Sequence, residues 1–230
     1  MSPAHVGQTR RAIVGRGSTW WAPGASGWWI GILFAVGSLS FALGAAPRYV
    51  NAVGVSTDGV TFFVGSLFFT AAAFLVYLEV ASAPGLGRWA ALVQLAGTVL
   101  FNVSTFDAMR EHLSASQADR LVWTPDVLGS TCFLVASGLA WIEAGHGLWS
   151  WRPRSSAWTI AALNLGGSIA FGVSAVASHV VPASDQPRNV TLMNLGTFVG
   201  ALCFLIGAVL LLPERTQGDA STTPQPRTGR

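Results

Sequence analysis

Six stretches of this chain are apolar for about the thickness of a bilayer, and their interiors hold no Arg, Asp or Glu: residues 28–46, 60–80, 89–106, 125–142, 158–181 and 190–212. A hydrocarbon core about 30 Å thick is crossed by roughly 20 apolar residues in helical form. A charge held near its centre costs about 2.5–3.5 kcal/mol on insertion scales. Water offers these segments no alternative. Charged residues make up 10% of the chain and hydrophobic ones 51%, against about 25% charged in an ordinary soluble domain. The sequence therefore predicts an all-α, polytopic transmembrane helix bundle of six spans. The fourth span carries Pro125 and Asp126 at its start and is the least regular.

The connections are short, and Pro47, Pro84, Pro153, Pro182 and Pro213 mark span ends or the loops beyond them. Residues 1–26 and 214–230 are polar, rich in Ser, Thr, Gly and Pro, and read as disordered tails flanking a six-helix domain over 27–213. All 13 basic residues are Arg. Nine of them fall in the N-tail, the second and fourth connections and the C-tail, against four on the other side. The positive-inside rule then places both chain ends in the cytoplasm of a multi-pass plasma-membrane protein. Trp20, Trp21, Trp28, Trp29, Trp89, Trp149, Trp151 and Trp158 collect on that same face, as one half of an aromatic belt. An apolar first segment preceded by Arg10 and Arg11 raises the alternative of a signal sequence cut near Ala42–Ala46, which would leave five spans. A net charge of +3 spread over loops makes no nucleic-acid patch. Cys132 and Cys203 lie in apolar segments as packing residues.

Every span carries a small-residue step that ends in Phe: Gly37–Phe41, Gly65–Phe69, Gly97–Phe101, Gly129–Phe133, Gly167–Phe171 and Gly200–Phe204. Odd spans begin with Trp about eight residues before the Gly, and even spans end with Glu fourteen residues after it. This reads as three pseudo-repeated helical hairpins, 27–81, 88–144 and 157–213. Apolar helices in lipid have no hydrophobic drive to associate, so close approach at small residues and polar contacts must hold them together. The Gly196–Gly200 pair and the ladder Ala162, Gly166, Ala170, Ser174 and Ser178 are expected to serve that packing.

The texture of spans one and two, FAVGSLSF and FFVGSLFF over Phe34–Phe41 and Phe62–Phe69, resembles the YrhK-like family of small bacterial integral membrane proteins. The resemblance is clearest over residues 28–80. It implies membrane location and hairpin architecture, and no chemistry.

Candidate functional residues are few. Gln94, Asn102, Asn164 and Asn194 are amides inside spans, where they either hydrogen-bond between helices or line a polar path. Glu79, Glu143 and Glu214 recur at one position near helix C-termini, an unfavourable place for a negative charge. They form either interfacial pairs with Arg88, Arg152, Arg154 and Arg215 or an acidic ring at the cytoplasmic mouth of a path. Asp107 and His179 end spans three and five and gather on the outer face with Asp58 and Asp126, either as a solvated rim or, if the odd spans are neighbours, with Asp107 and His179 meeting. No metal cluster, no cofactor motif and no signature of nucleophilic catalysis is present. The expected function is a non-enzymatic scaffold or regulatory membrane component that packs with itself or with another membrane protein. A small-solute transporter or channel is the alternative. The transport reading requires Gln94, Asn102 and Asn164 to face one polar cavity.

Overall fold

The computed structural model describes residues 20–110, 112–149, 151–181 and 186–222, with side chains up to Pro213. Six long helices dominate: α1 Ser26–Gly44, α3 Val55–Val80, α4 Leu86–Asp107, α6 Thr124–Gly145, α7 Ser156–Ala177 and α8 Val190–Thr222. Two short helices, α2 Pro47–Val53 and α5 Ala115–Ala118, and a two-residue hairpin of β1 Val180–Val181 with β2 Gln186–Pro187 complete the chain. Six helical runs are long and apolar enough to cross a membrane, α5 and α6 counting as parts of one run from Ala115 to Gly145. The protein is an all-α integral membrane bundle.

Each long helix packs on its neighbours in the chain, α1 on α3, α3 on α4, α4 on α6, α6 on α7 and α7 on α8, and α8 packs back on α1. The bundle is thus a closed ring of helices that alternate in direction. The Gly-to-Phe step explains the pairing. In a helix, residues four apart lie on one face, about 6 Å apart along the axis. When two such helices run antiparallel, the Gly of one opposes the Phe of the other. A Cβ added to Gly97 would sit 3.0 Å from the Phe133 ring, and one added to Gly129 would sit 3.4 Å from the Phe101 ring. Gly167 faces Phe204 and Gly200 faces Phe171, each at 3.0 Å, and Gly37 and Gly65 face Phe69 and Phe41 in the same way. Backbones meet at these points: a Cβ on either Gly of the Gly97–Gly129 pair would lie 3.1 Å from the other's carbonyl oxygen.

The six Phe side chains fill the axis of the ring. Each is between 3 and 7% exposed. Phe41, Phe101 and Phe171 from α1, α4 and α7 form one triangle, with centroids 6.0–6.3 Å apart. Phe69, Phe133 and Phe204 from α3, α6 and α8 form a second, with centroids 5.7–6.2 Å apart. The triangles stack through the hairpin pairs at 5.2–5.7 Å. Most of these rings meet edge to face, the arrangement their quadrupoles favour. The residue after each Gly is also buried: Ser38, Ser66, Thr98, Ser130, Ser168 and Ala201 are at most 3% exposed. The next position turns outward, where Leu39, Leu67, Val99, Ile169 and Leu202 are exposed and, in a bilayer, meet lipid.

Several element bounds differ from the sequence reading. Pro47 opens α2 at its first turn, where a missing N–H is harmless, and α3 then starts at Val55. The fourth span begins ten residues early. A capping box of Ser114 and Gln117 starts α5, and a π-helical turn over Asp119–Trp123 leads into Thr124 and Pro125. Such a turn widens the helix just where Pro125 cannot donate a hydrogen bond. The fifth span ends at Ala177, where the chain turns into the β hairpin. α8 continues through Pro213 to Thr222, into the segment read as a disordered tail; residues 1–19 and 223–230 lie outside the described residues. The small-residue ladder on α7 is only partly a packing face, since Gly166 has open space beside it while Gly167 carries the close contact. Gly196 does pack, against the Ala170 carbonyl and Ser174.

These contacts set stability. Gly97→Ala must push apart the α4–α6 backbones and should lower the unfolding temperature in detergent. Gly138→Ala, with nothing within 4 Å, should leave it unchanged or raise it, because Gly within a helix costs about 0.5–1 kcal/mol relative to Ala. Phe133→Leu removes ring contacts with Phe69, Phe101 and Phe204. At about 0.5–1.5 kcal/mol per aromatic pair, it should lose on the order of 2–4 kcal/mol in the same measurement.

Candidate functional site

Between the Phe plug and the end of the bundle where α4 and α7 begin, the ring encloses a cavity of about 630 Å³. Its walls come from the first turns of α4 and α7, the last turns of α3 and α6 and the middle of α8, with Phe34 from α1. Nine of the nineteen lining positions are Gly or Ala: Gly87, Ala90 and Ala91 on α4, Ala140 and Ala144 on α6, Ala157 and Ala161 on α7, Gly207 and Ala208 on α8. Short side chains on facing helices leave the axis unfilled, which is why a cavity opens here and not at the Phe level. Phe34 and Phe204 close its inner end, and the exposed Glu79 and Glu143 stand at its mouth.

Four of the sequence-derived candidates converge on this space: Gln94, Asn164, Glu79 and Glu143. The two amides come from equivalent turns of α4 and α7, three residues before the Gly of each step. Neither side chain has a hydrogen-bond partner within the protein among the described residues. Asn164 Oδ1 leans toward α8, 2.9 Å from where a Cβ on Gly207 would sit. From Gly87 to Gln94 is two helical turns, so the amides sit about 10 Å deeper than the carboxylates.

The two carboxylates occupy matching places. Glu79, one residue from the end of α3, accepts a hydrogen bond from the hydroxyl of Ser26, the first residue of α1, at 2.8 Å. Glu143, two residues from the end of α6, lays its oxygens over the first turn of α4, 2.9 and 3.1 Å from a Cβ position on Gly87. Each therefore sits at its own helix's negative end but beside the positive end of the antiparallel partner. The neighbour's N-terminus, rather than the Arg pairing weighed from the sequence, offsets the unfavourable position of Glu143. Glu143 makes no ion pair among the described residues. The side chain of Glu214, third member of the expected ring, lies outside the described residues.

The other candidates do not join this site. Asn102 sits beyond the plug, between α3 and α4. Turned to satisfy its neighbours, its amide nitrogen lies 2.8 Å from Ser66 Oγ and its oxygen accepts from the Thr70 hydroxyl at 2.9 Å. It is an interhelical tie, so the requirement that all three amides face one cavity is met by Gln94 and Asn164 alone. Asn194 is half-buried on α8, away from the lining. Asp107 and His179 do not meet. Asp107 pairs with Arg110 one turn on, at 3.2 Å, while His179 Nε2 lies 3.5 Å from Asp119 and packs its ring against Trp123. Asp119 and Trp123 belong to the π turn, a helical segment that hydropathy alone does not reveal. Trp28 and Trp158 depart from the expected belt: both are buried, with Trp28 donating its indole N–H to the Trp20 carbonyl. Among the described residues no group of three or more His, Cys, Asp and Glu is placed to hold a metal ion.

The contrast between amides is testable. Asn102→Leu should destabilise the protein by about 0.6–1.7 kcal/mol, the range for interhelical hydrogen bonds in membranes, read from thermal unfolding in detergent. Gln94→Leu and Asn164→Leu should leave stability near that of the parent. Compared with family models, with characterised proteins and with solved structures, the chain matches none.

Proposed function

We propose that this integral membrane protein binds a small solute in the one-ended cavity and belongs to the carrier type, the cavity being its inward-facing site. The observation that carries the reading is the cavity itself: unpartnered amides and two carboxylates gathered in a space of about 630 Å³, within the roughly 300–1,000 Å³ of small-molecule sites. Six phenyl rings seal it from the opposite face. A scaffold has no need of such a space. The glycines that suggested a docking protein are, moreover, largely occupied inside the chain, since Gly37, Gly65, Gly97, Gly129, Gly167, Gly196 and Gly200 all face other helices of the same bundle.

The architecture suits alternating access. Carriers are often built from inverted elements that rock about a central site, and here the same Gly-to-Phe step runs in opposite directions in the two helices of each hairpin. The nine-to-four Arg distribution supports a cytoplasmic location for the mouth and for both chain ends in the plasma membrane. The likeness of residues 28–80 to the YrhK-like family is consistent with hairpins as the building unit.

Substituted cysteines test the reading. In a background with Cys132→Ala and Cys203→Ala, Gln94→Cys and Asn164→Cys should react with a membrane-impermeant maleimide added from one side of the membrane only. Asn102→Cys, tied between helices, should resist. Protection of Gln94→Cys and Asn164→Cys from both sides would remove the solute site.

A further inference from the structure

We infer that the solute enters the cavity with a flat aromatic body that ends in a carboxamide- or lactam-type edge, offering a hydrogen-bond donor and an acceptor side by side. The inference rests on the solute-binding reading above and names the chemical class for that same cavity. It starts from a break in the repeat. Phe34, Gln94 and Asn164 stand three residues before Gly37, Gly97 and Gly167. The helices α1, α4 and α7 run in one direction, so these three positions share one level of the ring. All three side chains line the cavity. One side of that level is therefore aromatic, and the other two are carboxamides.

Each part selects something different. Phe34 packs on Phe69 with ring centroids 5.6 Å apart, which holds its ring in place, and it leaves aromatic surface to the cavity. Another aromatic ring is the partner that such a quadrupole favours. Gln94 and Asn164 have no hydrogen-bond partner in the protein among the described residues, and Asn164 Oδ1 lies over Gly207, 2.9 Å from where a Cβ would sit. Each carboxamide holds two N–H donors and a carbonyl acceptor. Val76, Ile160, Ala161 and Leu211, which share the lining, satisfy neither. A solute edge that only accepts leaves the carbonyl oxygens unmet, and one that only donates leaves the N–H groups unmet. A carboxamide or lactam supplies both in one plane, and that plane continues into the ring that packs on Phe34. The further hydroxyls of a polyol would face apolar wall.

The test uses three neutral molecules of similar size, so the charge at the mouth drops out of the comparison. Benzamide has the ring, the donor and the acceptor. Methyl benzoate keeps the ring and the acceptor and lacks the donor. Cyclohexanecarboxamide keeps the amide and lacks the flat ring. Each is titrated into the full chain in detergent and read by saturation-transfer NMR against a protein-free detergent blank. Benzamide should bind, with methyl benzoate weaker by about tenfold and cyclohexanecarboxamide weaker by about three- to tenfold. Gln94→Leu and Asn164→Leu should each bring benzamide and methyl benzoate closer to parity, with an unfolding temperature near the parent's showing that the fold is retained. The comparison of probes on the parent chain stands even where a variant fails to fold. Equal binding of benzamide and either analogue, a preference that neither substitution alters, or no binding of benzamide overturns the assignment. Maleimide labelling of Gln94→Cys and Asn164→Cys, done without any probe, decides separately whether the solute site stands.

Discussion

Helices in a bilayer are already solvated by hydrocarbon, so burying one apolar face against another yields no hydrophobic gain. Everything in this bundle follows from how that lack is met. Gly at one level and Phe a turn away let antiparallel helices touch backbone to backbone, while each ring fills the hollow left by its partner's glycine. Dispersion at close range and edge-to-face ring contacts take the role that water expulsion has in a soluble core. Because the step is present in every long helix, the contact repeats around the ring, and the inward rings meet on the axis as two stacked triangles.

The plug explains the cavity as well as the seal. Phe occupies one level of the axis, and Gly and Ala of α4, α6, α7 and α8 line the next turns. A ring of six helices is too wide to be filled by Ala and Gly side chains, so the axis stays open there. At the other end, α2, the π turn and the β hairpin are added to the bundle, and Phe62 packs on Phe41 with centroids 5.3 Å apart. Accessory segments lie at one end and small lining residues at the other, so the two halves of a near-symmetric bundle are unlike in structure.

The acidic mouth is a product of antiparallel pairing. A carboxylate at a helix C-terminus is unfavourable in isolation. Glu143, beside the first turn of α4, is compensated there without an ion pair among the described residues. The arrangement at Gly87–Glu143 thus couples a packing solution to an electrostatic one.

The sequence by itself determined the class of the protein, the number of its spans and the residues that dock them, because hydrocarbon solubility and the four-residue helical step are local properties of consecutive residues. Gln94, Asn164, Glu79 and Glu143 were legible as candidates for the same reason: a polar group within or at the edge of an apolar span stands out. What only the tertiary structure decided was which of them share a space. Asn164 precedes the Gly of its step and Asn102 follows the Phe of its own, which sets them at different depths; that Ser66 and Thr70 on the adjacent helix make Asn102 a tie rather than a wall is a tertiary fact. The pairing of His179 with Asp119 instead of Asp107, the relief of Glu143 by another helix's first turn, and the existence of the cavity all depend on residues remote in the chain. Those relations are set by the closing of the ring, when α8 returns to α1, and no stretch of sequence contains them.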